Sequence, residues 1–118
     1  MFDKRKIITV AGDIMLDQYW FGEVERISQE APVPIVDVSH EQFRPGGAAN
    51  VALNIANLGI NVNLLGIVGN DDNQKKLKEI LKLSNLNYNF IISKKGTIKK
   101  LRIISKGNQM IRVDFEKP

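Results

Sequence analysis

Gly46 and Gly47 stand side by side and run directly into Ala48-Ala49-Asn50-Val51-Ala52, with further glycines at 59 and 69. Paired glycines let a backbone pass very close to a ligand, and a helix starting there aims its free N–H groups at that ligand. Asn50 falls in the first turn of the run, where an amide both donates to and accepts from a hydroxyl. The chemistry this permits is a grip on a polar small molecule. A loop that merely needs flexible residues is the competing reading of two glycines, and the spacing of the later glycines decides against it.

The elements that must position these residues follow from periodicity. Lys6–Ala11 is apolar and β-branched, as a buried strand is, and ends at Gly12-Asp13. Gln18–Gly22 reads as a short aromatic strand, Ala31–Pro34 as extended, and Ile35–His40 as a half-exposed strand. The glycines then close an irregular segment. A helix is expected over Ala48–Leu58, with Val51, Ile55 and Leu58 on its apolar stripe and Gly59 in the left-handed position after it. Val62–Val68 reads as a buried strand. Asn70-Asp71-Asp72 caps a helix to Leu83 that turns Leu77, Ile80 and Leu81 inward. Tyr88–Ile92 is a short strand, and Ile98–Ser105 with Gln109–Phe115 forms a hairpin around Lys106-Gly107-Asn108. Strand, helix, strand, helix implies a parallel sheet covered by helices, and the remaining strands suit a separate small sheet with one wet face.

Composition removes several classes of function. With no cysteine and only His40 as an imidazole, disulfides, Cys-ligated zinc, thiol catalysis and a Ser-His-Asp triad are excluded. No apolar run approaches the ~20 residues that span a bilayer, so no membrane association and a cytoplasmic location are expected. The net charge of +4 is lopsided, because residues 61–118 hold 12 Lys/Arg against 5 Asp/Glu. Those lysines are scattered over helix and strand faces without interleaved aromatics, so a solvated face is favoured and nucleic acid is not expected as a partner. His40 reads as a surface residue.

Gly46, Gly47, Ala48, Asn50, Ala52, Gly59 and Gly69 together match the first signature of the ribokinase-like (PfkB) carbohydrate kinases, which the chain resembles. Within that family it is similar to the heptose 7-phosphate kinases. The similarity is carried by Gly12-Asp13-Ile14-Met15-Leu16-Asp17-Gln18-Tyr19-Trp20, Arg26-Ile27-Ser28, Glu30-Ala31-Pro32-Val33-Pro34 and Arg44-Pro45-Gly46-Gly47. It continues through Lys100-Leu101-Arg102 and Ile111-Arg112-Val113-Asp114-Phe115-Glu116. The resemblance implies an α/β ribokinase-like fold: a partial Rossmann-like parallel core (β-α-β-α) plus a small β-sheet lid, which often forms a homodimer contact.

It also implies residue roles. Asp17 occupies the position of an Asp that bonds sugar hydroxyls, and a carboxylate accepts from two neighbouring hydroxyls at once. Gly46, Gly47 and Asn50 carry over as further sugar contacts. Asp13 is a second acidic candidate, with capping of the turn after the first strand as its other role. Lys100 and Arg102 match a basic pair positioned for the phosphate of a phosphorylated heptose. Two apart on a strand, they share a face, although two solvated charges on a lid edge fit them as well. Lys99 and Gln29 stand where the heptose kinases usually have Thr and Pro.

The family's second signature, Asp-Thr-x-Gly-Ala-Gly-Asp, is missing from the sequence. In the family it supplies the anion hole and the catalytic base, and no Gly-x-x-x-x-Gly-Lys-Ser/Thr or Gly-x-Gly-x-x-Gly segment replaces it. The resemblance therefore makes residues 1–118 the N-terminal, sugar-binding and lid portion of a kinase domain without its ATP-binding half. ATP and Mg²⁺ serve the complete family enzyme, and this chain alone is expected to bind neither well and to be inactive by itself. A non-catalytic phosphosugar-binding or dimerisation module, and a remnant of a degraded kinase gene, are the alternatives.

Overall fold

Val62, Leu64 and Val68 alternate with Asn63, Leu65 and Ile67, and this period-two pattern makes one side of a strand bury against helices. The computed structural model describes residues 6–27, 33–84 and 86–116. Its elements are β1 (Ile7–Ala11), β2 (Ile14–Ile27), β3 (Pro34–Gly47), α1 (Ala48–Ala56), β4 (Asn61–Gly69), α2 (Asp72–Lys82), β5 (Asn87–Ser93), β6 (Ile98–Ser105) and β7 (Asn108–Phe115). β4 lies between β1 and β5 in a wholly parallel three-stranded sheet. Strands β3-β2-β6-β7 form a separate four-stranded lid, antiparallel except for the parallel β2–β6 pair.

The core gathers where the base of the lid meets the helix-covered face of the parallel sheet. Ile14 and Leu16 of β2 are fully buried there with Leu64, Val68, Leu77 and Leu81. β2 is thus shared, its first residues anchoring the lid to the core and its later ones extending beyond it.

Several sequence expectations change. The aromatic strand is far longer than Gln18–Gly22, and β3 runs through His40 to the glycines, so Gly46 and Gly47 end a strand rather than an irregular segment. Register shifts after Phe21 and Val24 let these two long strands bend without losing their pairing. α1 stops at Ala56, and its inward face is Ala49 and Ala52, while Val51 and Leu58 are 50% and 64% exposed. Small residues win because they let the helix lie close to the sheet, which the apolar stripe Val51-Ile55-Leu58 would prevent; of that stripe only Ile55 packs on the core. Ser28, Gln29, Glu30 and the Ala31-Pro32 part of the extended segment lie outside the described residues.

The α2 reading holds: Asp71 caps it by accepting from the Gln74 amide at 2.9 Å, and Leu77 and Leu81 are buried. Gly59 has φ +86, the left-handed geometry expected after a helix. The β6–β7 turn places Lys106 (φ 52) and Gly107 (φ 77) both in the left-handed region, as a two-residue primed turn requires. Among the described residues no helix is long and apolar enough to cross a membrane.

Candidate functional site

Period two along β2 puts Asp17, Tyr19 and Phe21 on one face of the lid, opposite the Leu16 side. The register extends that face: Arg44 and Lys100 flank Asp17, Gln42 and Arg102 flank Tyr19, and Asp114 and Arg112 follow across β7. The result is a strip of alternating charge. Arg102 Nη1 lies 3.2 Å from Asp17 Oδ1, and the two side chains are 22% and 17% exposed. Both atoms are buried without a hydrogen bond of proper angle, so the attraction is electrostatic and the lone pairs of Oδ1 stay unfilled. The Arg102 and Arg44 guanidiniums lie 5.7 and 4.8 Å from the Tyr19 ring centre.

Lys100 is held by the last strand, 3.4 Å from Asp114 and 4.0 Å from Glu116. Arg112 also grips Asp114, with Nε at 2.9 Å. What little water Asp114 loses raises its pKa, but Arg112 and Lys100 outweigh that and hold its carboxyl below the ordinary value.

The glycines serve the protein's own chain at this place. A Cβ on Gly46 would lie 2.8 Å from Asp17 Oδ1 and 2.7 Å from Met15 Cγ, so a bare residue leaves room for the carboxylate. Gly47 has φ +58, and a Cβ there would strike the Asp13 carbonyl oxygen, which accepts from the Ala48 amide at 2.8 Å. α1 starts at this crossing with no side-chain cap, and Asn50, third in the helix, is exposed.

The Asp13 side chain is exposed and lines a cavity of about 330 Å³ with Ile67, Ser93, Lys95, Gly96, Ile98 and Glu116. These residues mark the carboxyl ends of the core strands and the base of the lid's charged face, the usual place for a ligand in an open α/β sheet. A larger hollow, about 640 Å³, lies over Thr9, Asn63, Asn87 and Asn89 toward the other end of the strands, and no charged side chain lines it. Asp17, Gly46, Lys100 and Arg102 are therefore brought together on the lid, while Gly47, Asp13 and Asn50 sit at its junction with the core.

Sequence reasoning missed Arg44, Tyr19, Arg112 and Asp114 on the same face. Extending the β2 alternation past Asp17 finds Tyr19, but the others need the strand register. It also missed that the Asp71 cap reaches the lid. Burial raises the Asp71 pKa, yet hydrogen bonds from the Thr97 amide, the Thr97 hydroxyl and the Gln74 amide prevail and lower it.

A mixed α/β core carrying a β lid, with an acidic and basic strip facing the strand ends, defines a ribokinase-like protein, and the profile of the pfkB family carbohydrate kinases matches residues 6–116. The chain belongs to that family. It is similar to the bifunctional protein HldE of Hydrogenovibrio crunogenus, 54% identical over 115 residues that cover 98% of this chain and 24% of that protein. HldE of Proteus mirabilis is 50% identical over 116 residues, again 98% and 24%. The chain spans about a quarter of the length of the curated relatives it matches and resembles their N-terminal part. Among solved structures, a carbohydrate kinase from Agrobacterium tumefaciens superposes with a TM-score of 0.75 at 22% identity, covering 93% of this chain and 35% of that one. A ribokinase from Thermotoga maritima gives 0.67 at 20%, covering 92% and 36%.

Proposed function

We propose that the chain is the sugar-binding and lid portion of a heptose 7-phosphate kinase. The complete enzyme of this reading moves a phosphoryl group from ATP onto D-glycero-β-D-manno-heptose 7-phosphate, giving the 1,7-bisphosphate that leads to ADP-heptose and the lipopolysaccharide core. The identity of about half to HldE over nearly the whole chain carries the choice of sugar. Asp17 takes sugar hydroxyls, Gly46 leaves space for its carboxylate, Asn50 adds an amide at the helix start, and Lys100 and Arg102 face the phosphate. Asp13 joins from the core side of the cavity. A hydroxyl donating to Asp17 fills an acceptor that Arg102 attracts without properly satisfying.

ATP and Mg²⁺ serve the complete enzyme of this reading, and this chain alone is expected to bind neither well. Among the described residues no group of three or more His, Cys, Asp or Glu gathers to hold a metal ion, and the sequence has no glycine-rich phosphate loop. In this reading residues 1–118 correspond to the N-terminal portion of the kinase domain and are inactive alone. Isothermal titration with heptose 7-phosphate tests the site: Asp17→Ala and Asn50→Ala should each weaken binding, Asp17→Ala by on the order of 1.5–3 kcal/mol. Unchanged affinity in both variants removes these residues from the site. Steady ADP release from ATP in a coupled assay, abolished by Asp17→Ala, contradicts inactivity.

A second reading, a module that dimerises through its lid, has its own support. The lid face away from Asp17 presents Ile111 and Phe115, each about half exposed.

A further inference from the structure

Three connections cross between the parallel core and the lid: β1 to β2, β3 to α1, and β5 to β6. The first two are tied to each other, because the Ala48 amide donates to the Asp13 carbonyl at 2.8 Å. The third is tied separately, and by a single carboxylate. Asp71 Oδ2 accepts from the Thr97 amide at 2.7 Å, and Oδ1 accepts from the Thr97 hydroxyl at 2.7 Å and from the Gln74 amide at 2.9 Å. The hydroxyl in turn accepts from the Gly69 amide at 2.9 Å. It has one proton, and Asp71 at 2.7 Å takes it in preference to the Gly69 carbonyl at 3.4 Å.

One acidic side chain therefore closes the N-terminus of α2, grips the residue just before β6, and reaches the end of β4 through a relayed hydrogen bond. Thr97 is 4% exposed, so these charge-assisted bonds are shielded from competing water. The backbones meet as closely as chemistry permits: a Cβ on Gly69 would lie 2.7 Å from both Gly96 Cα and the Thr97 nitrogen. Capping α2 needs only the Gln74 bond, and an Asp, Ser or Asn does that without a threonine elsewhere. The two Thr97 bonds are surplus to the helix. Their effect falls on β6, which begins at the next residue and carries Lys100 and Arg102.

We propose that Asp71 and Thr97 are positioning residues for the phosphosugar site: their clasp sets the placement of β6, and with it Lys100 and Arg102, over the carboxyl ends of the core strands. The substrate half of this proposal rests on the heptose 7-phosphate reading, whereas the clasp itself does not. Gly96 and Glu116 line the Asp13 cavity and also a neighbouring hollow with Asp71, Asn73, Thr97 and Phe115, so the joint adjoins the cavity.

The chain has no cysteine, so Asn54→Cys on α1 and Met110→Cys on β7 give a clean nitroxide pair across core and lid. In this background Thr97→Val removes the hydroxyl but leaves the Asp71–Gln74 cap, and Asp71→Asn provides an independent lesion. With each doubly labelled chain diluted in an excess of unlabelled chain, so that pairs between copies do not contribute, expected are a narrow distance distribution in the parent, a broadened or shifted one in both variants, and return of the parent distribution in Thr97→Ser. Heptose 7-phosphate affinity should fall on the order of tenfold in Thr97→Val and recover in Thr97→Ser. A lowered melting temperature with the parent distance distribution retained in Thr97→Val overturns the proposal, because the clasp would then stabilise without positioning. If the distances respond but the parent binds no heptose 7-phosphate, the clasp stands and the functional reading falls.

Discussion

At the scale of single residues, three glycines of one sequence signature answer to three different physical demands. Gly59 has φ +86 with open space around it, so Gly59→Ala pays only backbone strain, about 1 kcal/mol. Gly47 adds a backbone collision with the Asp13 carbonyl to its positive φ, and that oxygen already serves Ala48, so neither can yield. Gly47→Ala should therefore cost well over that, about 3 kcal/mol or more. The atoms nearest a Cβ on Gly46 belong to the movable side chains of Asp17 and Met15. Gly46→Ala is expected to melt near the parent temperature while losing sugar affinity, because it displaces the Asp17 carboxylate. Urea midpoints for all three, with titration of Gly46→Ala, check the order. Equal losses of stability across the series would mean that the crowding at Gly47 is relieved elsewhere. The need for bare residues at 46 and 47 was legible in the sequence, but what they approach was not. Asp17 and Arg102 are joined only by the parallel pairing of β2 with β6, which leaves no local trace in the chain.

Elements were legible to the degree that one force decided them. β6 and β7 are apolar, β-branched runs joined by a turn whose glycine is obvious, so their bounds came out of the sequence nearly unchanged. In α1 two forces conflict. Hydrophobicity favours burying Val51 and Leu58, but close approach to β4 selects Ala49 and Ala52, and close approach prevails. That outcome has a measurable consequence. Ala52→Leu should destabilise by about 1–3 kcal/mol through overpacking, while Val51→Ala should fall within about 0.5 kcal/mol of the parent. Chemical denaturation of the two variants separates the arrangements, and the reverse order would restore the Val51-Ile55-Leu58 stripe. The Asp71–Thr97 clasp marks the other limit. Its partners stand 26 residues apart and follow no period, so only the cap on Gln74 was visible beforehand.

For the whole molecule, shape and surface lead to the same expectation. The Cα radius of gyration is 17.2 Å, against about 13.5 Å for a compact domain of this length. The excess comes from a flat lid projecting off a three-stranded core, and extents of 61 × 36 × 19 Å agree with this. Such a body buries little behind each sheet. On the uncovered face of the core Ile7, Ile67 and Ile91 are each more than half exposed, and on the lid Ile111 is exposed as well. β1 and β5 also end the core sheet with unpaired backbone edges among the described residues. Apolar faces and open edges of this kind are removed from water by pairing with further protein. The isolated chain is therefore expected to sediment as a dimer or larger species, its mass rising with concentration, and to melt broadly because core and lid meet only around Ile14 and Leu16 and at the Asp13–Ala48 and Asp71–Thr97 bonds. Sedimentation velocity over a concentration series, with calorimetric melts on the same samples, tests this. A monomer at all concentrations with one sharp transition would show that the Ile14 and Leu16 region, with the Asp13–Ala48 and Asp71–Thr97 bonds, is enough to make core and lid a single cooperative unit.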